Sequence, residues 1–277
     1  MNRRLCIVHA NCQGAPLIER LKTCPEFSDR FECRLFTNYV REPIPDDILR
    51  RCSLFLYQHL GSHWDDMASA SLLSKLPEAA HSLCIPNMFF TGYWPTWSSK
   101  PGFDYRCEHL DALVALGLPA EETIILALHT DMATEFDLAA RLEKTFAQEH
   151  DREAHTPIPY IHIIREHYRD VQLFNTINHP GPMLMNHVAT GVLRELGFTP
   201  PDENVLNALG DPFPEFEQPI NPKVAEAFGL SFGGPKQEYE VYGRKMTFAR
   251  WVANYVSARQ AGVSDFIGYL TGADITA

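Results

Sequence analysis

Short apolar runs alternate with amphipathic segments along the first 90 residues. "LCIVHA" (5–10), "ECRLFTNYV" (32–40), "LFLYQHL" (54–60) and "SLCIPN" (82–87) read as buried strands. Between them, Pro16 to Leu21 opens one helix, "PIPDDILRRC" holds a short second, and "DDMASASLLSKL" (65–76) makes a third with an aspartate cap. Strands separated by helical segments predict βαβ units, hence an α/β fold with an open, mostly parallel sheet flanked by helices.

The pattern then shifts to a helical period. "YRCEHLDALVALGL" spaces Leu110, Leu113 and Leu116 three apart, and "EFDLAARLEKTFAQEH" and "IPYIHIIREHYRD" continue in the same manner. "VQLFNT" (171–176) reads as a late strand that returns to the sheet. "PMLMNHVATGVLRELG" reads as a helix with proline at its start and Gly197 as its stop. The last 75 or so residues are proline-rich and less regular. There "QEYEVYGRK" alternates like a strand, and "MTFARWVANYVSARQ" is an amphipathic helix. The expected organisation is a single α/β domain over 1–277, with a core of about 1–200 and a helical C-terminal extension of about 201–277.

Composition narrows the partners. A formal charge of −11 argues against non-specific binding to nucleic acid and to anionic membrane surfaces. No apolar run approaches the length of a membrane span, and "MNRRLCIVHA" turns polar too soon for a signal peptide, so no membrane insertion is expected. The seven cysteines are odd in number and none forms a C-x-x-C pair, which predicts free thiols in a reducing cytoplasm.

In an open parallel sheet, ligands gather where strands end. Strand one runs out into His9-Ala10-Asn11-Cys12-Gln13-Gly14, strand three into Tyr57-Gln58-His59, strand four into Pro86-Asn87, and the late strand into Asn178-His179-Pro180. Together these exits hold a thiol, imidazoles and side-chain amides, the groups acyl transfer needs. At a helix N-terminus, Cys12 faces unpaired backbone N–H groups and the positive end of the helix dipole, both of which favour the thiolate. The N–H groups of Gln13 and Gly14 offer an oxyanion hole, Gly14 lets a ligand approach the backbone, and both residues are candidate cofactor contacts. The competing reading of Cys12 is a small residue filling a strand–helix turn. His179 is the candidate base, held extended by Pro180, with Asn178 to orient its ring. Gln58 and Asn87 are candidate oxyanion donors. No acidic third member is evident, since Glu166 and Asp170 fall on a predicted helix. His59 and His63 have helical metal-ligand spacing, but "LGS" between them breaks the helix. The aromatic stretch "NMFFTGYWPTW" (87–97), which includes Tyr93, suits a pocket wall for a sugar ring or the apolar arm of a cofactor, or a loop folded back on the core.

Four of these segments, "IVHANCQG", "LFLYQHL", "IPNMFFTGYWP" and "LFNTINHPG", stand in an order that resembles the WcbI-type polysaccharide biosynthesis acetyltransferases of bacterial capsule pathways. The resemblance spans residues 5 to about 195. It implies a fold similar to SGNH hydrolases and flavodoxins, with cysteine where SGNH enzymes place serine. It implies coenzyme A, as acetyl-CoA, for the acyl carrier and a saccharide hydroxyl for the acceptor. By position, Cys12 matches the cysteine after strand one, His179 the histidine of the "NHP" segment, and Asn87 the asparagine of the SGNH oxyanion hole. SGNH enzymes carry an aspartate three residues before the histidine, and here that position is Thr176. The phosphates of coenzyme A call for local basic groups, for which Lys100 and Arg106 are first candidates and Arg244 and Lys245 second. Three functions stay open: a CoA-dependent O-acetyltransferase, an esterase or thioesterase with a cysteine nucleophile, and a non-catalytic ligand-binding protein.

Overall fold

The structure is a computed structural model and describes residues 3–272. The chain divides into two compact units. The first comprises the chain up to Phe89 with Phe146–Glu166 and Asn178–Pro212. The second comprises Phe90–Thr145, His167–Ile177 and the chain from Phe213 onward.

The first unit is built on four strands, β1 (Arg4–Ala10), β2 (Phe31–Thr37), β3 (Cys52–Tyr57) and β4 (His81–Cys84). They pair in the order β2-β1-β3-β4, and every pairing is parallel. Helices α1 (Gly14–Lys22), α2 (Pro25–Arg30), α3 (Asp46–Leu49) and α4 (Ser69–Ser74) lie in the connections. From Cys6 to Ala10, β1 is buried without alternation, as a central strand covered on both faces must be. One face packs Ile7, Phe36 and Phe55 with Leu49 of α3 and Leu72 of α4. The other carries α1. A Cβ on Gly14 would stand 2.6 Å from Leu35 Cδ1 and 3.0 Å from Ala10 Cβ. Glycine is therefore required there so that the first turn of α1 can lie directly on the sheet. The missing side chain thus makes room for strand side chains.

From β1 the chain passes to β2 on one side and the sheet continues with β3 on the other. The carboxyl ends of β1 and β3 thus flank the point where strand order reverses, the place where such sheets hold ligands. The helix Pro182–Glu195 starts with proline as expected, packs on α1, and is followed by Gly197 in the left-handed region.

Two sequence expectations fail locally. Asp65 does not cap α4; it lies within a 3-10 turn (Ser62–Met67), and α4 starts after Ala68 with no side-chain cap. The late strand is only Phe174–Thr176 and does not join the four-stranded sheet. Its central carbonyl, on Asn175, accepts instead from the Gln218 N–H (2.7 Å) within the second unit.

That second unit packs the helix Phe248–Gln260 against Glu108–Val114 and Ala120–His129. Beside them "EYEVYGRKMT" forms a hairpin, Glu238–Val241 with Arg244–Thr247, where the sequence suggested one strand. Phe90, Tyr93 and Trp94 of the aromatic stretch are buried in this core. Tyr93 through Trp97 also border a cavity of about 40 Å³, so the segment is both packed loop and wall. Among the described residues, no helix is long and apolar enough to cross a membrane.

Two stability measurements test this packing. Gly14→Ala is expected to cost about 1–3 kcal/mol in urea denaturation, the usual penalty of overpacking. His9 of β1 is 1% exposed, neither ring nitrogen has a hydrogen-bond partner among the described residues, and burial pushes its pKa down to about 4 against an opposing effect of Glu42. Above pH 6.5 the ring is neutral in both folded and unfolded chains and contributes no pH dependence. Below that, the unfolded chain takes up a proton that the folded one refuses until about pH 4. The loss of stability between pH 7 and pH 5 is therefore expected to shrink by about 2 kcal/mol in His9→Leu.

Candidate active site

Everything at the switch point hangs on Asn11, the first residue after β1. Its N–H donates to Gln58 Oε1 (2.8 Å), and its Nδ2 donates to Asn87 Oδ1 (3.1 Å). Its Oδ1 accepts from the Gln13 N–H (2.9 Å) and from Gln58 Nε2 (3.2 Å), and its carbonyl accepts from the Gly14 N–H (3.0 Å). One asparagine thus ties the exits of β1, β3 and β4 and closes the turn into α1. The sequence offered it only as one polar residue among several.

This turn corrects two expectations. The N–H groups of Gln13 and Gly14, expected to form an oxyanion hole, are both spent on Asn11. Gln58, expected to donate to an oxyanion, is fully buried. Its Nε2 faces Asn11 Oδ1, Gln13 Oε1 (3.3 Å) and Pro86 O (3.1 Å), while its Oε1 also takes an N–H of Asn38 (3.3 Å). Gln13, expected to bind a cofactor, is likewise turned inward. Its Nε2 donates to Met88 O (2.7 Å) and Asn178 O (3.0 Å), and its Oε1 receives the Met88 N–H (3.2 Å). A long amide at each position spans the gap between strand exits, which backbone groups cannot do.

Cys12 is half-buried just ahead of α1. Its sulfur receives an N–H of Asn178 Nδ2 at 3.5 Å and lies 3.8 Å from the Asn178 carbonyl oxygen. Asn178, expected to orient the histidine ring, therefore touches the thiol. His179 follows directly in the chain, so the "NCQ" and "NHP" segments meet through Asn178 and Gln13. Asn87 presents its carbonyl to Asn11, and its Nδ2 has no partner among the described residues. Of the predicted donors, it is the one with N–H groups to offer.

Burial pushes the His179 pKa down to about 4, and the negative charge of Asp211 acts in the opposite direction. The imidazole is neutral near pH 7 and able to accept a proton. Asp211 lies 32 positions along the chain in an irregular stretch, with no spacing to mark it in the sequence. Its placement follows from Arg20 on α1, which is 1% exposed. Arg20 Nε donates to Asn186 Oδ1 (2.8 Å), Nη2 donates to the Gly210 carbonyl (3.0 Å), and the charge of Asp211 acts on the guanidinium as well. The helix that follows Cys12 thus also fixes the segment holding the carboxylate.

The remaining predicted residues belong to the second unit. Tyr93 is 1% exposed and its hydroxyl donates toward Tyr168 O (2.9 Å) and Val171 O (3.0 Å), so its expected contact with a cofactor is replaced by a core bond. Arg106, expected to meet phosphate, pairs with Asp111 (2.9 Å) and donates to Pro101 O (3.0 Å). Lys100 is exposed. Of the second pair, Lys245 is bridged to Glu240 (3.2 Å) and Arg244 is exposed.

Comparison with known proteins gives two results. The family model described as polysaccharide biosynthesis enzyme WcbI matches residues 5–201. A solved structure of WcbI, described as a novel polysaccharide biosynthesis enzyme, superposes with a TM-score of 0.78 over 99% of this chain and 96% of that one, at 21% identity. That structure is the native protein without a disulfide bond between coenzyme A and one of its cysteines. At this identity the likeness establishes the fold. No curated protein matches the sequence.

The inward-facing amides make a direct prediction. Gln58→Leu leaves the Asn11 N–H, an Asn38 N–H and the Pro86 carbonyl without their partner in a buried setting. It is expected to lower unfolding free energy by about 2–4 kcal/mol, read by chemical denaturation.

Proposed function

We propose that this chain, which belongs to the WcbI family of polysaccharide biosynthesis enzymes, is a coenzyme A-dependent O-acetyltransferase that modifies a saccharide hydroxyl in capsule formation. The observation that carries the reading is the meeting of Cys12 with the Asn178-His179 segment at the switch point, beside the available N–H2 of Asn87. That the solved WcbI structure is distinguished as lacking a disulfide bond between coenzyme A and one of its cysteines supports coenzyme A as the carrier here. The free thiols of Cys6, Cys24, Cys33, Cys52, Cys84 and Cys107 accord with a cytoplasmic setting.

In the covalent form of the mechanism, His179 takes the proton of Cys12 as the sulfur attacks the thioester carbonyl. Asn87 donates to the oxyanion, and Asn178 donates to the sulfur while it is negative. Collapse breaks the carbon–sulfur bond to coenzyme A, and the leaving thiolate recovers the proton from His179. The sugar hydroxyl then gives its proton to His179, its oxygen attacks the acetyl-cysteine, and Cys12 leaves and is reprotonated. In the direct form, His179 takes the proton of the sugar hydroxyl as its oxygen attacks the carbonyl of acetyl-CoA, the carbon–sulfur bond breaks, and the leaving thiolate recovers the proton from His179, while Cys12 only borders the thioester. Asp211 stabilises the imidazolium in both. Gln58 and Gln13 serve as positioning residues.

Incubation with acetyl-CoA followed by peptide mass spectrometry separates the two forms. An acetylated Cys12 peptide, with a burst of free coenzyme A, is the expected result, and an unmodified Cys12 with full turnover selects direct transfer. His179→Ala is expected to lower turnover about 100- to 10,000-fold in either case. Rapid turnover of p-nitrophenyl acetate with no stabilisation by coenzyme A would replace the transferase reading by a hydrolase. Because the base must be neutral, the acid limb of kcat/KM is expected near pH 4 and not near 6.5.

A further inference from the structure

The segment leaving β4 carries Asn87, and its hold on the first unit is unusually complete. Ile85 N–H donates to Tyr57 O (2.8 Å), Pro86 O accepts from Gln58, and Asn87 Oδ1 accepts from Asn11. Met88 is bonded at both its N–H and its carbonyl by Gln13. All these contacts come from the exits of β1 and β3. On the far side of Asn87, the Phe89 N–H donates to Glu149 Oε2 (2.9 Å), on the helix Leu138–Glu153.

Glu149 is fully buried. Besides Phe89 it accepts from the Tyr160 hydroxyl (3.1 Å) and pairs with Arg152. Arg152 places its guanidinium 5.1 Å from the centre of the Phe89 ring. One carboxylate and its partner arginine thus grip both the backbone and the ring of a single residue two places beyond Asn87. The burial is costly, since it pushes the carboxyl pKa up to about 7 despite Arg152 and the bond from Phe89. A neutral hydroxyl or amide would satisfy one backbone N–H at less expense. Glu149 Oε2 alone takes both Phe89 and Tyr160, which ties the loop to a helix that contributes none of the reacting groups.

We infer that Glu149 is a positioning residue for the proposed acyl transfer, holding the Phe89 peptide so that the Asn87 N–H2 stays aimed where the oxyanion forms. The inference rests on the acyltransferase reading above and on Asn87 as its oxyanion donor. Oxyanion donors act through placement to within about 0.5 Å, so loosening one end of this loop weakens the donor without removing it.

Two measurements test it, the first independent of activity. Hydrogen exchange of the peptide covering residues 85–90 is expected to quicken about tenfold or more in Glu149→Ala and to stay near wild type in Glu149→Gln, whose amide oxygen still accepts the Phe89 N–H. Unchanged exchange in the helix Pro182–Glu195 shows that the fold is intact. Unchanged exchange at 85–90 in Glu149→Ala overturns the inference. The second is the release of coenzyme A thiol from acetyl-CoA. Asn87→Ala is expected to lower kcat about 100-fold. Glu149→Ala is expected to lower it about 10-fold with KM within threefold, and Glu149→Gln to recover it. Combined with Asn87→Ala, Glu149→Ala should cost no more than about threefold further, because the group it aims is gone. A fully additive double variant sinks the positioning role and leaves the acyltransferase reading standing. Wild-type turnover in Asn87→Ala sinks the oxyanion reading itself, and the role of Glu149 with it.

Discussion

The first unit depends on one buried constraint: three parallel strands end in peptide groups that no further strand can satisfy, and side-chain amides must do so. Asn11 and Gln58 meet this by exchanging two hydrogen bonds, the Asn11 N–H to Gln58 Oε1 and Gln58 Nε2 to Asn11 Oδ1. An amide side chain mimics a peptide edge, offering a donor and an acceptor side by side. The pair therefore continues the sheet's bonding past its end without charge. From it the network spreads to Gln13, Pro86, Asn87 and Asn38, and the thiol of Cys12 is carried on the same turn. Loss of one partner would unpair several buried groups together, which makes the cluster cooperative.

The same constraint explains which parts were legible in the sequence. Strands β1 and β3 are near-continuous apolar runs, and the shorter apolar stretches of β2 and β4 are each set off from them by a helical segment, so a parallel sheet could be read from the order of the segments. The helix after Pro182 carried both its start and its stop. The strand near 174 was misplaced because three residues of extended chain carry no information about which backbone they will bond. At the site, the strand exits told where to look but not which way the amides point. Gln58 and Asn87 are alike in sequence, each a carboxamide after a strand. Only the structure shows that one is fully enclosed by acceptors while the other has its carbonyl tied and its N–H2 available. Asp211 and Glu149 were invisible for a different reason. Each acts on a residue dozens of positions away, through a segment whose course no local periodicity dictates.

His9 and His179 together show why burial alone does not identify a base. Both are shifted to about the same value, in each case chiefly by desolvation. His9 stacks near Phe55 at 6.3 Å in the middle of an apolar face, and its ring nitrogens meet no protein partner among the described residues. His179 adjoins the residue that touches the thiol, and the charge of Asp211 acts on it. A lowered pKa keeps an imidazole neutral and ready to accept a proton, yet it also weakens its proton affinity. A carboxylate nearby recovers part of that affinity at the moment the ring becomes charged. Geometry, and not the size of the shift, separates the two.

The division of labour between amides and ionisable groups follows from the same reasoning. Positioning groups that adjoin the reacting atoms should not change charge during turnover, because each change would alter the field acting on those atoms. Asn11, Gln13, Gln58, Asn87 and Asn178 meet that requirement, as neutral groups that donate and accept without titrating. In the proposed reaction the proton moves only between Cys12 or the sugar hydroxyl, His179 and the leaving thiolate. Arg20 suits its place for the same reason, since its guanidinium stays charged at any working pH and holds the Gly210 carbonyl next to Asp211. A lysine there would be free to lose its proton on burial, and the segment carrying the carboxylate would lose its anchor. The charge that assists the base is thus held by a buried cation that does not titrate away, on the helix that begins two residues after the thiol.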